Sequence, residues 1–179
     1  GELITMLRLE GIEVWGADLD PTMIEFARRS GVHAVVNDGL KELESVPPAG
    51  LGGLFASQVV EHLFPAQLAH LLRLARQRLA RGGVMILETL NPSSLAVLAK
   101  SYYRDLDHKQ PIHPEYLKQL VEMAGFESVE LHYLHPFSPE EKLPLLPSAE
   151  ELGISEQAHA ALARRFEHIE SLLYGAQDY

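Results

Sequence analysis

Residues 13–21, EVWGADLDP, run from apolar positions into two carboxylates separated by one leucine. Asp20-Pro21-Thr22 places a capping acceptor ahead of a proline suited to the first helical position, and Met23, Ile24 and Ala27 then recur on one helical face. Asp20 is therefore read as the cap of a helix from Pro21 to Arg29. Asp18 is left at the carboxyl end of a strand predicted over 13–18, with no local donor to accept. In an open α/β sheet that edge is where ligands bind. A solvated strand-end aspartate fits the same pattern.

Working outward, residues 2–10 read as a helix ending at Gly11. Beyond Ser30-Gly31, VHAVVND is a second apolar run that also stops at an acid, Asp38. Asp38 suits an exocyclic amino group, with the N–H groups of Gly39 and Leu40 available to a ring nitrogen; Asn37-Asp38-Gly39 is also a turn former. After the loop ESVPPAGLGG, the run LFASQVVEHL reads as a strand that breaks into polar residues at Ser57-Gln58. Leu68, Leu72, Ala75 and Leu79 form a helical stripe closed by Gly82-Gly83, and VMILETL follows as a buried strand. Glu88 and Asn91, at the end of that strand, are candidate acceptor contacts, although Asn91-Pro92 is equally a turn and cap. The alternation implies an α/β fold with a largely parallel sheet covered on both faces.

Past residue 90 the pattern changes. Asn91-Pro92-Ser93 is expected to cap a helix to about Tyr103, RDLDHKQPIHP is a polar loop, and Leu117, Leu120, Val121 and Ala124 mark a helix ended by Gly125. FESVELHYL alternates like an outer strand. A proline-rich connector, 136–147, leads to a capping box over Ser148–Glu151 and a long helix from about Ser155 to Tyr174. We divide the chain into a partial domain over 1–147 and a helical segment of the same domain over 148–179.

The 179 residues carry 15 Lys plus Arg against 25 Asp plus Glu, a formal charge of −10 that repels a phosphate backbone and argues against general nucleic-acid binding. With no cysteine, chemistry falls to carboxylate, imidazole, hydroxyl or a borrowed cofactor. No signal peptide or membrane-length apolar run is present, which gives the expectation of a cytoplasmic protein without membrane insertion. Both ends read as cuts through a longer chain: a helix starts at once after Gly1, and the chain stops at Gln177-Asp178-Tyr179 with no closing element.

The succession GELITML, VWGADLDPTMIEFA, VVNDGL, LFASQVVEHL, LARGGVMILETLNP and GFESVEL resembles class I S-adenosylmethionine-dependent methyltransferases along nearly the whole chain. The resemblance implies a Rossmann-like sheet with helices on both faces, in which the first strand is central, between the second and fourth. It places Asp18 on the cofactor ribose, Leu19 against the adenine, Asp38 on the adenine amino group with Gly39 and Leu40 beside it, and Ser57 and Gln58 near the methionine part. Gly1 matches the last glycine of the first glycine-rich motif. The first and last strands are then missing from this chain, and strand 13–18 is expected not to pair with 54–57. The acid that often opens the fourth strand is replaced, at Gly52.

The loop YYRDLDHKQPIHP resembles the Asp-x-x-His-x-x-Pro segment of a bacterial subgroup associated with glycan and O-antigen modification, through Asp105, His108 and Pro111. Methyl transfer is an in-line displacement at a sulfonium carbon, so a hydroxyl acceptor must be aligned and lose a proton. His108 is the candidate base and Asp105 its orienting partner, while a loop histidine that only binds or caps fits as well. His62 and Arg104 are further candidate acceptor contacts; His62 equally reads as a structural group at a helix start. A metal reading of His108, His113, Asp105 and Asp107 lacks a periodic element to fix the spacing, and no metal ligands are assigned. The leading reading is transfer of a methyl group to an oxygen, a sugar hydroxyl or a terminal phosphate of a glycan; for a phosphate, Arg104, His108 and Lys109 serve as anion ligands. The alternatives are a small-molecule O-methyltransferase, a nicotinamide-binding protein on a similar sheet, and a non-catalytic methyltransferase-like module.

Overall fold

The computed structural model describes residues 2–175. The chain divides into two compact units, one built from the residues up to Leu54 with Arg73–Val84, the other from Phe55–Leu72 with the residues from Met85 onward.

In the first unit, α1 (Glu2–Leu9) leads into β1 (Gly16–Asp18), and α2 (Pro21–Arg29) into β2 (Ala34–Val36). The Asp20 side chain accepts from the Thr22 N–H at 2.7 Å and caps α2 as its sequence requires. β1 and β2 pair in parallel with Asp18 opposite Val36, and the Asn37 N–H extends the ladder to the Asp18 carbonyl at 3.0 Å. Ile24, Val32 and Ala34 form the buried cluster beneath them, with Ile4 and Ala27 packed on its edge. Full burial of side chains such as Ile24 and Val32 stabilises by about 1.5–3 kcal/mol each.

The strand is shorter than the expected 13–18, because β2 offers only three residues to pair with it. Trp15, just outside the ladder, donates its indole N–H to Glu42 Oε1 at 3.0 Å, and Asn37 Nδ2 donates to Glu42 Oε2 at 2.8 Å. One carboxylate of α3 (Gly39–Ser45) thus pins both strand ends.

β3 (Leu51–Ser57) and β4 (Leu79–Glu88) form a separate two-stranded sheet. Gly53 lies against the Val84 carbonyl and the Gln58 N–H donates to the Glu88 carbonyl, so the two strands advance in the same sense. No ladder joins β1 to β3 among the described residues, in line with the expectation that they are not neighbours. β3 begins earlier than expected, taking in Gly52 and Gly53, and α4 (Pro65–Arg78) passes into β4 without a loop. Leu79 and Gly82-Gly83 therefore belong to the strand rather than to the end of the helix. Gly82 takes a left-handed φ of 79° inside it, and a Cβ at Gly83 would stand 3.1 Å from the Gly52 carbonyl. Glycine here serves close approach of two backbones.

The second unit holds α5 (Leu95–Lys100), α6 (Pro114–Met123), α7 (Ala149–Leu152) and α8 (Glu156–Tyr174), with a 3₁₀ turn over Tyr102–Arg104. It runs through residue 147 without a break. The helix expected to reach Tyr103 ends at Lys100, and its cap is Ser94 rather than Asn91-Pro92-Ser93. Ser94 Oγ accepts from the Val97 N–H and donates to the Leu173 carbonyl, tying α5 to α8. Ser94 is fully buried, so Ser94→Ala removes a cap and leaves the buried Val97 N–H without its acceptor. We expect a loss of about 1–3 kcal/mol, read as a lower urea midpoint at constant slope. The capping box forms as expected, with Ser148 and Glu151 bonding reciprocally.

Residues 127–134 are not a strand. Their alternation survives as alternating exposure, with Val129, Leu131 and Tyr133 half-buried and Glu130, His132 and Leu134 exposed. Periodicity sets faces, but a strand also needs a neighbour to accept its hydrogen bonds.

Candidate active site

The two strand-tip acids of the first unit lie on adjacent parallel strands, Asp18 ending β1 and Asp38 just beyond β2. Each already has one oxygen in use. Asp18 Oδ1 accepts from the Asp20 N–H at 2.8 Å, which corrects the expectation that it has no local donor. The signal was present in the sequence: an aspartate two residues ahead of a free N–H forms such a turn readily. Asp38 caps α3, its Oδ1 accepting from the N–H groups of Leu40 at 2.9 Å and Lys41 at 3.1 Å. The Leu40 N–H is thus committed to Asp38 itself, leaving Gly39 to supply the remaining amide. The Oδ2 atoms of both acids have no partner among the described residues, and Leu19 presents a 69% exposed apolar side chain beside Asp18. Gly1 lies outside the described residues.

In the second unit, Ser57 ends β3 and Gln58 follows it, where the sequence suggests the strand breaks. Ser57 Oγ donates to Glu88 Oε1 at 2.7 Å, joining a cofactor candidate to an acceptor candidate. Gln58 adopts φ 52°, a conformation that non-glycine residues take up at a cost and that clusters at functional sites. Asn91 is buried and accepts from the N–H and hydroxyl of Ser93, so it shapes the turn after β4.

The densest chemistry surrounds His108. The Lys109 N–H donates to the Glu61 carbonyl at 2.8 Å, holding the loop after the 3₁₀ turn against the segment that follows β3. That contact brings the rings of His62 and His108 to 4.7 Å between centroids, while Tyr102 packs on His108 at 4.6 Å. His108 Nδ1 lies 2.7 Å from the Tyr102 carbonyl, which can only accept, so this nitrogen carries a proton and in the neutral ring Nε2 holds the lone pair. The His108 side chain is 7% exposed, and Asp105 Oδ2 is 3.9 Å from Nε2. The contact that orients the ring is therefore the Tyr102 carbonyl; Asp105 stands on the basic side, beyond hydrogen-bond range. Asp105 accepts from the Asp107 N–H at 2.8 Å, and this bond, followed by the nearby His108, His62 and Lys109, holds its carboxyl below the usual range. Burial, then Tyr103 and Glu61, pushes the Tyr102 phenol up, so it stays protonated. Arg104 is exposed and shares a shallow depression with Ser101, Asp105 and Leu106. His113 accepts from the Glu115 N–H and caps α6, a structural use.

Residues 1–131 match a family model described as a methyltransferase domain. The chain belongs to this methyltransferase family. A crystal structure of a SAM dependent methyltransferase from Archaeoglobus fulgidus is 32% identical to this methyltransferase, with a TM-score of 0.85 over 99% of this chain and 78% of that one. A search of curated proteins finds no match. The sheet pairs β1–β2 and β3–β4 are those that the methyltransferase resemblance implies for the second with the third strand and the fourth with the fifth.

Sequence reasoning missed one residue of this methyltransferase altogether. Glu61 is 1% exposed, and neither carboxylate oxygen has a partner among the described residues. A single acid beside a histidine in VVEHL gave no hint of burial.

Proposed function

We propose that this methyltransferase moves the methyl group of its S-adenosylmethionine cofactor to an oxygen acceptor, a sugar hydroxyl or terminal phosphate of a glycan, with His108 taking the acceptor proton. The carrying observation is the tautomer of His108, whose Nδ1–H is held by the Tyr102 carbonyl so that Nε2 of a nearly buried neutral ring offers a lone pair.

The residues present fit the cofactor's adenosine end. Asp18 and Asp38 each keep one carboxylate oxygen for a hydroxyl or amino donor, and Leu19 offers an exposed apolar surface next to Asp18. In this reading Asp18 binds the ribose, Asp38 the adenine amino group, and Gly39 with Leu40 borders the base; Gly1, Ser57 and Gln58 belong to the methionine side. When bound, the cofactor supplies an electrophilic methyl carbon on a sulfonium. With an acceptor hydroxyl aligned toward that carbon, His108 Nε2 would take its O–H proton. His62, Glu88, Asn91 and Arg104 are the candidate acceptor contacts, and the protein's part is chiefly to align them.

The charge at the acceptor side favours a hydroxyl over a phosphate. Asp105, ionised, lies in the same depression as Arg104 and offsets the cation that a phosphate needs. The test is transfer from labelled S-adenosylmethionine to oligosaccharides ending in a free hydroxyl or in a phosphate, with isothermal titration of S-adenosylhomocysteine and NADH alongside. Alkali-stable methyl ether on the hydroxyl series is expected. Binding of NADH alone, or transfer to neither series, overturns the reading.

A further inference from the structure

We propose that Glu61, His62 and His108 form a binding site for one divalent transition-metal ion of the zinc class. One ligand atom from each of these three residues lies within 4.8 Å of the other two. Three observations raise this above a chance cluster. Glu61 is a carboxylate buried to 1% exposure with both oxygens unpartnered among the described residues, and a charge so placed is costly unless a cation offsets it. His108 donates Nδ1–H to a backbone carbonyl, the outer contact that fixes a metal-ligating histidine with its other nitrogen deprotonated. The segments that carry the three are tied by the Lys109 to Glu61 backbone bond, so the cluster does not depend on side-chain chance alone.

The donor set also selects the ion. Two imidazole nitrogens and one carboxylate oxygen suit zinc, cobalt or divalent iron, whereas magnesium and calcium prefer oxygen throughout. Bonds of about 2.0–2.2 Å in a tetrahedral site place ligand atoms about 3.4 Å apart, so closing on an ion from the present spacing requires small side-chain rotations. Three protein ligands leave a fourth position open, the arrangement of catalytic rather than structural zinc. With an ion bound, His108 Nε2 would be a ligand and no longer a base, and a hydroxyl at the open position would be acidified so that its proton could pass to water. Only that last use rests on the methyl-transfer reading; ion binding itself does not.

The experiment is titration of chelator-treated protein with Co²⁺, without cofactor or acceptor, followed by the visible d–d absorption and by the thermal midpoint. Saturation at one equivalent is expected, with an intense tetrahedral-type spectrum, a raised midpoint, and displacement by Zn²⁺. Glu61→Gln and His108→Ala should each weaken binding by about 10-fold or more, and His62→Ala provides the same reading if Glu61→Gln fails to fold. His132→Ala removes an exposed histidine paired with Glu130 at 3.1 Å and should change nothing. Absence of saturable binding, binding that survives loss of these ligands, or equal loss in His132→Ala overturns the site. Each of those results leaves the methyl-transfer reading standing.

Discussion

His108→Ala, in protein stripped of metal, lowers turnover with a hydroxyl acceptor by about 10²–10⁴-fold, the usual cost of losing a general base. Affinity for S-adenosylhomocysteine stays within a factor of about two, because the proposed role lies at the acceptor. His108→Gln is the sharper companion: it keeps a donor toward the Tyr102 carbonyl but has no basic nitrogen, so it should fold like the wild type and remain slow. Turnover near wild-type level in both variants would remove His108 from catalysis. Weakened acceptor binding with turnover retained at saturating acceptor would instead make it a phosphate ligand.

The site divides into parts the sequence could disclose and parts it could not. Asp20, Ser148 and Gly125 were legible because each acts within three or four residues of itself, where residue type and spacing determine the hydrogen bond. Asp18 and Asp38 were legible as strand-tip acids, but their own turns were underread; both spend an oxygen on local N–H groups. The centre around His108 is a different case. It exists because the Lys109 N–H meets the Glu61 carbonyl across 48 residues of sequence. No periodicity encodes that contact or the burial of Glu61. Residues 127–134 failed in the opposite sense: the local pattern was correct, and the missing ingredient was a partner strand.

Asp18→Ala tests the adenosine half of the site. Its Oδ1 is occupied by the Asp20 N–H, so a ribose would rely on Oδ2, and alanine removes both acceptors. The exposed position makes the folding cost small, because the Asp20 N–H can turn to water. We expect S-adenosylhomocysteine to bind roughly 5- to 150-fold more weakly, the equivalent of about 1–3 kcal/mol for hydroxyls left without an acceptor. Asp18→Asn separates the two functions. Its one carbonyl oxygen can serve the Asp20 N–H or the ribose, and its amide adds a donor where hydroxyl protons point, so the turn should persist while affinity falls as in alanine. Calorimetry gives the affinities and a thermal melt gives the fold. If both variants bind as tightly as the wild type, Asp18 is a turn residue facing solvent. The ribose must then be held elsewhere.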